Sequence, residues 1–395
     1  MGVAASQRDR VARAGVAGAY LVQGMCFAAL LTQVPVLQRK FGFSDAGLSL
    51  VLLAVPVVAG VGSVLAGFLA GRFGSGPVLR VGGLGVCAAI TATGLAGDRP
   101  TLYAVLALVG LFLGLVDATM NMQGVAVQRR YGRPVLASFH GVWSAGGIVG
   151  ALATAVTAYL GVPLALSLGL VAVLGAAIAL TAGPRLLRPE EDVVEVPDAG
   201  AAAVRIPWTP IIAVGTAMMI MYIADSATSN WSAVYLRNGL HGPQSVAALG
   251  LAAYQTCMVL GRALADRLVA RYGPVRAVAA GGAVGAVGLV IVATASGPAV
   301  GIVGFAVLGL GLCVVVPQSF SAAGQLDPTG SGIAVARVNL FNYAGFVVGA
   351  ALIGLVAESR GLRVAFLVPA VLALGIVALA RSFRPRVAAP EPAEV

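Results

Sequence analysis

Charged residues are scarce in this sequence. Only 10% of its 395 residues are Asp, Glu, Lys or Arg, whereas 59% are hydrophobic and the mean hydropathy is +0.95. A water-soluble domain of this composition would expose more apolar surface than water tolerates, which excludes the soluble classes of protein. Lipid is therefore the expected solvent for most of the chain.

Cysteine and histidine are also rare, with four and two copies. Cys26, Cys87, Cys257 and Cys313 lie far apart inside apolar runs without a C-x-x-C spacing, so neither a zinc site nor a disulfide framework is indicated. No nucleophile–base pair stands out, and the Gly-x-Gly patterns fall within apolar runs rather than after strands. We therefore expect no enzyme activity, no cofactor and no metal.

Twelve long apolar segments fill the chain. Each can cross the roughly 30 Å hydrocarbon core, which takes a helix of about 20 residues. A polar stretch at 184–206, with five acids and several prolines, separates two sets of six and predicts a solvated linker. The segments lie at about 11–38, 44–71, 78–97, 100–128, 134–160 and 162–183, and then at about 207–236, 244–271, 275–296, 298–325, 330–357 and 362–382.

This layout predicts an all-α membrane protein with twelve transmembrane helices in two pseudo-symmetric six-helix bundles. We expect an N-terminal bundle at 1–183, the linker at 184–206, a C-terminal bundle at 207–383 and a tail at 384–395. The halves repeat at the level of residues, because a shift of 199 positions places Gly146 on Gly345 in the fifth and eleventh spans. Duplicated bundles of this kind enclose a central site.

The basic residues predict the orientation. Seventeen of the 25 Lys and Arg residues fall on the side of the termini and the linker, six fall on the other side, and Arg262 and Arg337 lie within spans. The positive-inside rule therefore predicts cytoplasmic termini, linker and tail. Because the net charge of +10 is spread over short loops, we expect no nucleic-acid partner.

Two loop sequences carry a known signature. The segment GFLAGRFGSGPVLR after the second span and RALADRLVARYGPVR at the end of the eighth resemble the loop G-x-L-A-D-R-x-G-R-R of the major facilitator superfamily. An Asp at such a helix end can latch onto the N-terminus of a neighbouring helix. The resemblance implies a cytoplasmic gate with Asp266, Arg267 and Arg72, although Gly71 stands where the first copy should have its Asp. Alternatively, the arginines only obey the positive-inside rule.

A narrower resemblance is carried by spans four, five, seven and eleven. The segment DATMNMQGVAVQRRYGRPVLASFHGVWSAGGIVGA, together with NWSAVYL, is similar to the bacterial MosC/YbjJ-type branch of the superfamily. That branch includes a transporter linked to rhizopine, an inositol derivative. The resemblance implies a multi-pass secondary transporter of the bacterial inner membrane. Where the branch favours an acid before W-S-A, this chain has Asn230, with Asp225 five residues earlier.

Few ionisable groups lie within the spans, where an unpaired charge costs at least about 2.5–3.5 kcal/mol. Asp117 lies near the middle of span four, one turn before Asn121, and Asp225 lies in span seven. Neither acid has a basic residue within one helical turn of its own sequence, so we expect one of them to take up the proton that drives transport. Alternatively, Asp117 only joins two helices, or Arg337 approaches an acid and forms a fixed ion pair or a substrate clamp.

Other polar and aromatic side chains are expected to face the same interior cavity. His140 and Trp143 share one face of span five, although a packing role for His140 remains an alternative. Amides can also join helices without contacting substrate. The predicted substrate-binding or coupling residues are Gln23, Asp117, Asn121, His140, Trp143, Asp225, Asn230, Trp231, Arg337, Asn339, Asn342 and Tyr343.

These features predict a monomeric secondary active transporter that works by alternating access and is coupled to protons. Amides and tryptophans around one cavity suit hydroxyl-rich ligands, so the expected solute is small and polar, such as a sugar or polyol derivative. The alternative is efflux of a drug-like or secondary-metabolite compound. The fifth span contains GGIVGA and lacks the G-P-x-x-G-G ending of drug antiporters, which weakens that alternative without removing it.

Overall fold

A computed structural model describes residues 6–192, 206–243, 246, 248–327 and 330–385. All regular secondary structure in these ranges is helical, as lipid requires of a chain whose backbone groups must pair within each crossing. Residues 193–205 of the predicted linker and 386–395 of the predicted tail lie outside the described residues.

Six crossings form the first bundle. The first consists of two helices that are separated by a break at Gln33. The remaining crossings are single helices, and a short helix follows them. The bounds are α1 (Gln7–Thr32), α2 (Val34–Phe41), α3 (Asp45–Phe73), α4 (Ser75–Leu95), α5 (Arg99–Tyr131), α6 (Leu136–Tyr159), α7 (Leu164–Ala182) and α8 (Pro189–Asp192).

The second bundle contains the other six crossings. A break at Cys313 and Val314 divides the tenth, and a kink at Gly361, where φ is +81°, separates the eleventh from the twelfth within one long helix. Only glycine adopts that backbone conformation without strain. The bounds are α9 (Trp208–Val234) with a π-helical extension at Tyr235–Gly239, α10 (Leu249–Tyr272), α11 (Pro274–Ala293), α12 (Pro298–Leu312), α13 (Val315–Gln325) and α14 (Ile333–Leu379).

The fold class predicted from the sequence is confirmed. In the described part, ten helices are long and apolar enough to span a membrane. One of them, α14, supplies two crossings because of its kink, and the more charged α10 has the length of a crossing. The observed helices begin and end within about five residues of the predicted segments, because hydropathy fixes position along the chain well and helix ends less well.

The duplicated glycines allow the same close packing in both bundles. A Cβ atom on Gly146 or Gly150 of α6 would overlap carbonyl oxygens of α1. In the second bundle, a Cβ on Gly345 or Gly349 of α14 would lie 2.5 and 2.7 Å from carbonyl oxygens of α9. Small residues therefore let each pair of helices approach at the backbone, as is common where lipid surrounds the bundle.

The two bundles meet at one end, which we call the closed end. It is the end that carries the start of α1, the end of α5 and the first part of the linker. The contacts between bundles join α3 and α5 to α14, α6 to α10, and α5 and α6 to α13. Every hydrogen bond between bundles in the described residues involves the half of each crossing that is nearer to this end.

The first part of the linker is packed rather than solvated, contrary to prediction. Leu186 and Leu187 are buried, and Asp192 is only 6% exposed. Arg8 holds this segment through hydrogen bonds to Glu191 at 2.9 and 2.5 Å and to two linker carbonyls. Hydrophobic and polar contacts with α1, α4 and α5 therefore fix the linker up to Asp192.

Candidate functional site

Asp117 lies on α5 where the two bundles meet at mid-depth, and its side chain is buried. Its Oδ2 atom accepts hydrogen bonds from Nδ2 of Asn342 at 3.1 Å and from the hydroxyl of Tyr343 at 2.8 Å, both on α14. On its own side, Asn121 donates to the Asp117 carbonyl at 2.8 Å and accepts from the hydroxyl of Tyr20 at 2.7 Å. The acid therefore joins the two bundles through neutral donors.

Asp225 occupies the second bundle and is half-buried. The hydroxyl of Tyr254 on α10 donates to its Oδ1 atom at 2.7 Å. Tyr222, one turn earlier on α9, lies near both Asp117 and Asp225. The two acids therefore share a neighbouring tyrosine. Asn230 is exposed and donates to the carbonyl of Ser226 on its own helix at 2.7 Å.

Arg262 is a charged group in this neighbourhood that was not among the predicted site residues. It is 6% exposed and is the only Lys or Arg among the fully buried residues of the described part. Its Nη1 atom donates to the hydroxyl of Ser144 at 2.7 Å and lies 3.5 Å from the carbonyl oxygen of His140, both on α6. No described carboxylate lies within 4.0 Å of it.

His140 is buried among aromatic rings. Its ring stacks on Phe320 of α13 at 6.0 Å between centroids and meets the edge of Tyr20 at 5.3 Å. The Nε2 atom of His140 has no hydrogen-bond partner in the described residues. Its place between α1, α6 and α13 fits the packing alternative and also leaves one polar atom for a further partner.

The two predicted tryptophans pack within their own bundles. Nε1 of Trp143 donates to Oε1 of Gln23, which links α6 to α1, and the Trp143 ring lies 6.3 Å from that of Phe27. Trp231 is partly buried and faces the position of Gly354 on α14. These residues line their bundle rather than the contact between bundles.

Arg337 does not reach either acid. Its Nη1 atom donates to the carbonyl of Ile206 at 3.1 Å, and its guanidinium lies 4.5 Å from the ring centroid of Trp208. Arg337, near the start of α14, therefore contacts the end of the linker. Two residues on, Asn339 donates to the hydroxyl of Ser63 on α3 at 3.1 Å, so it contributes to the contact between bundles.

Asp266 binds the first turn of a helix in the other bundle. Its two carboxylate oxygens accept from the backbone N–H of Ala137 at 3.0 Å and of Ser138 at 2.9 Å, at the start of α6. Oε1 of Gln128 accepts from the two preceding N–H groups at 3.0 and 3.3 Å. These oxygens satisfy donors that a helix start leaves unpaired and complement its positive dipole end.

The neighbours of Asp266 in the predicted gate take no part in this contact. Arg267 is exposed, and Arg72 is exposed with its guanidinium 5.4 Å from the ring centroid of Phe73. A Cβ on Gly71 would have open space around it. Within the described residues, the signature-loop latch between the bundles is therefore made by the second loop copy alone.

The sequence as a whole matches a known family. The sequence model of the family described as Major Facilitator Superfamily matches residues 16–329 and again residues 214–395. This chain belongs to the Major Facilitator Superfamily. Its members are transporters and not enzymes, so the chain is a multi-pass membrane transporter, as predicted.

Relatives support the narrower branch as well. An uncharacterized MFS-type transporter of Yersinia pestis is 32% identical over 368 residues, which cover 92% of this chain and 94% of that protein. Membrane protein MosC of Rhizobium meliloti is 28% identical over 397 residues, which cover 99% and 95%. The resemblance to the MosC-type branch is therefore confirmed.

A solved structure shows the same fold. FucP, a transporter of this superfamily in its outward conformation, superposes with a TM-score of 0.77 over 94% of this chain and 98% of FucP. At 16% identity, this likeness shows the Major Facilitator Superfamily fold alone.

An acid from the linker caps a helix next to the loop copy that lacks its Asp. Oδ2 of Asp192 accepts from the backbone N–H and the hydroxyl of Ser75, at the start of α4, at 3.2 and 2.5 Å. Nε2 of Gln123 donates to both carboxylate oxygens at 3.0 Å. Burial raises the pKa of Asp192 to about 6, against the opposing effect of the hydrogen bonds and of Arg129.

Sequence reasoning missed Arg262, Asp192 and Gln128. The position of Arg262 within a span was a signal, because a basic residue in lipid requires a partner. Asp192 and Gln128 gave no comparable signal, since their partners lie 117 residues away in Ser75 and 193 residues away in Ser321. Among the described residues, no group of three His, Cys, Asp or Glu side chains has the geometry of a metal site.

Proposed function

We propose that this superfamily member is a proton-coupled secondary transporter of a small polar solute, with Asp117 as its coupling acid. The observation that carries the proposal is the bridge from Asp117 to Asn342 and Tyr343 across the two bundles. A titratable group held there by neutral donors has no ion pair to fix its charge in the described residues. Its proton can therefore be gained and lost within the cycle.

Alternating access supplies the reason for coupling. Opening of the closed end separates α14 from α5 and removes the two donors from Asp117. Because hydrogen bonds to a carboxylate change the free energy of protonating it, the two facing states hold the proton with different affinity. A difference of this kind is what lets a proton gradient favour one state.

The chemistry of the side chains supports a hydroxyl-rich solute. Tyrosine hydroxyls and amides dominate the polar groups around the acids, and these groups both donate and accept hydrogen bonds. FucP, which has the same fold, is described as a fucose:proton symporter. Such a cavity would prefer sugars or polyols to large apolar cations.

The orientation belongs to the same proposal. With the termini and the linker in the cytoplasm, the closed end is the cytoplasmic end, and the conformation faces outward. The basic residues at this end and the bacterial relatives support a bacterial inner membrane as the location.

Uptake by the full-length protein in proteoliposomes tests the proposed function. We expect accumulation of sugars, polyols or their derivatives when the outside is acidic and no accumulation without a gradient. The matched control is Asp98→Asn, which alters an exposed acid at the start of α5 and preserves its cap on Thr101, so it should transport like the wild type. Expulsion of hydrophobic cations, with no uptake of any polar solute, would contradict the proposal.

A further inference from the structure

Arg262 has an unused hydrogen-bonding edge. Its Nη1 atom donates to Ser144, but Nε is buried without a partner, and no hydrogen bond from Nη2 occurs in the described residues. The Nε–Nη2 edge of a guanidinium presents two parallel N–H groups, the arrangement that matches a carboxylate. A buried guanidinium with unpaired N–H groups costs free energy. An anion that binds this edge would remove that cost.

Two further buried polar atoms have no hydrogen-bond partner in the described residues. They are Nε2 of His140 on α6, the helix that Arg262 contacts, and Nε2 of Gln318 on α13, which packs against α6. The titratable residues near Arg262 in the described part are Asp225 and Tyr222 on α9, Tyr254 on α10, His140 on α6 and Cys313 between α12 and α13. Asp225 and Tyr222 are half-buried, so both side chains retain some exposed surface.

We propose that Arg262 binds an anionic oxygen group of the solute, so that the transported class is a hydroxylated monocarboxylate such as a sugar acid. This inference rests on the proposed function and narrows its substrate class. A single charge is favoured over a dianion such as a phosphate ester because Arg262 is the only buried cation in the described part. The tyrosines and amides around the acids then hydrogen-bond the hydroxyls of the solute.

The proposal has a consequence for coupling. The proton on Asp117, the coupling acid of the proposed function, balances the single negative charge of the solute at Arg262. One proton therefore enters with one anion, and the pair crosses without net charge. A neutral polyol that entered with a proton would instead carry one positive charge.

Paired probes in proteoliposomes test this inference. D-glucuronate is compared with D-glucose, and D-gluconate with D-sorbitol, under an inward proton gradient. We expect uptake of the acid, as kcat/KM, to exceed that of its neutral partner by about tenfold, which corresponds to about 1.4 kcal/mol. Acid uptake should be the same whether or not a potassium diffusion potential is imposed, because the coupled movement is electroneutral.

Variants on α10 separate binding from folding. Arg262→Gln should abolish the preference for the acid, and Arg262→Lys, which keeps the charge, should retain part of it. The matched control is Arg271→Gln, an exposed arginine on the same helix beside Tyr272, which should leave the preference intact. If Arg262→Gln does not fold, the lysine variant and the potential dependence of the wild type still decide the question.

The outcomes distinguish this inference from the proposed function. Uptake of the neutral partners at equal rates, driven by the potential, would overturn the anion site and leave proton-coupled transport of a polar solute intact. An unchanged preference in Arg262→Gln would also overturn it and return Arg262 to a contact between α10 and α6. Failure of all four probes to accumulate, in vesicles that accumulate another polar solute under a proton gradient, would overturn the inference alone. Expulsion of hydrophobic cations with no uptake of any polar solute would overturn the proposed function as well.

Discussion

Two consecutive acids of the linker have opposite electrostatic environments. The hydrogen bonds from Arg8 lower the pKa of Glu191 to about 2, and Arg188 contributes a backbone N–H. Burial raises the pKa of Asp192 to about 6, although Arg129 and the donors on Ser75 and Gln123 oppose this rise. Neighbouring residues of one type thus titrate in different ranges because one side chain meets a cation and the other enters a packed interface.

Asp192 should make stability depend on pH. The pKa of Asp192 is higher in the folded protein than in the unfolded chain. Its contribution to the free energy of unfolding is therefore present at low pH and is lost as the pH rises through about 6. The wild type should therefore lose about 1 kcal/mol relative to Asp192→Asn between pH 5 and pH 7.5. Thermal unfolding of the full-length protein in detergent at the two pH values measures this difference.

Glu191→Gln is the matched control for that measurement. The depressed pKa of Glu191 means that its contribution is present above the unfolded value and is lost only as the pH falls toward about 2. The effect of this substitution on the unfolding temperature should therefore be nearly the same at pH 5 and pH 7.5. An equal pH dependence for both variants would refute the assignment of the pKa rise to Asp192.

At the level of single residues, the sequence indicated candidate side chains without the contacts between them. Asp117 and Asp225 were selected because acids are rare in spans, and Asn342 and Tyr343 because they lie on the repeat-equivalent face. Their roles in binding or coupling stay predictions. Arg337 was assigned to the cavity because its distance from the linker is not encoded in helical periodicity. The partner of a buried arginine is likewise a tertiary property, so Ser144 could not be assigned to Arg262.

The start of α6 depends on a side chain of the other bundle. Asp266 accepts its Ala137 and Ser138 N–H groups, and Gln128, which serves the two preceding N–H groups, also donates to Ser321 of α13 at 2.6 Å. Separation of the bundles at the closed end would leave the N–H groups of Ala137 and Ser138 without Asp266. This contact therefore stabilises the closed arrangement specifically.

Asp266→Asn should weaken the closed end without unfolding the protein. An amide has one acceptor oxygen, so either Ala137 or Ser138 loses its acceptor, at a cost of about 1–3 kcal/mol. We expect faster thiol labelling of Ala336→Cys, a buried position beside Gly67 of α3, in a background in which the four native cysteines are replaced by alanine. Transport should slow because the balance of facing states shifts.

Arg271→Gln provides the comparison on the same helix, since this arginine is exposed and lies outside the contact between bundles. Its labelling rate at Ala336→Cys should match that of the parent. Identical labelling rates in Asp266→Asn and the parent, with unchanged transport, would show that Asp266 does not stabilise the closed end.

The helices were predictable because lipid imposes a length and a composition on each crossing. The tenth crossing was predicted as one continuous span, but it is broken between α12 and α13. A loop was predicted between the eleventh and twelfth crossings, but they are joined by a kink at Gly361. Hydropathy does not report local backbone angles. The packed first part of the linker was mispredicted for a related reason. Acids and prolines indicate solvent exposure on average, but Arg8 and Ser75 supply specific partners to Glu191 and Asp192.

For the whole molecule, the contacts between bundles form layers from the closed end inward. Gln128 and Asp266 lie at the outer layer, Arg262 and Asn339 lie deeper, and Asp117 with Asn342 and Tyr343 forms a deep layer. We propose that the bundles divide at 184–206 and rock about this interface. Opening from the closed end would then disrupt the Asp117 bridge after the outer contacts.

We propose that Asp117 couples this rocking to a proton. The most direct test compares two transport modes of Asp117→Asn in proteoliposomes, using whichever solute the wild type accumulates. We expect that Asp117→Asn still exchanges solute at equal concentrations and loses accumulation driven by a proton gradient. Full accumulation by Asp117→Asn with the pH dependence of the wild type would show that Asp117 is not the coupling acid.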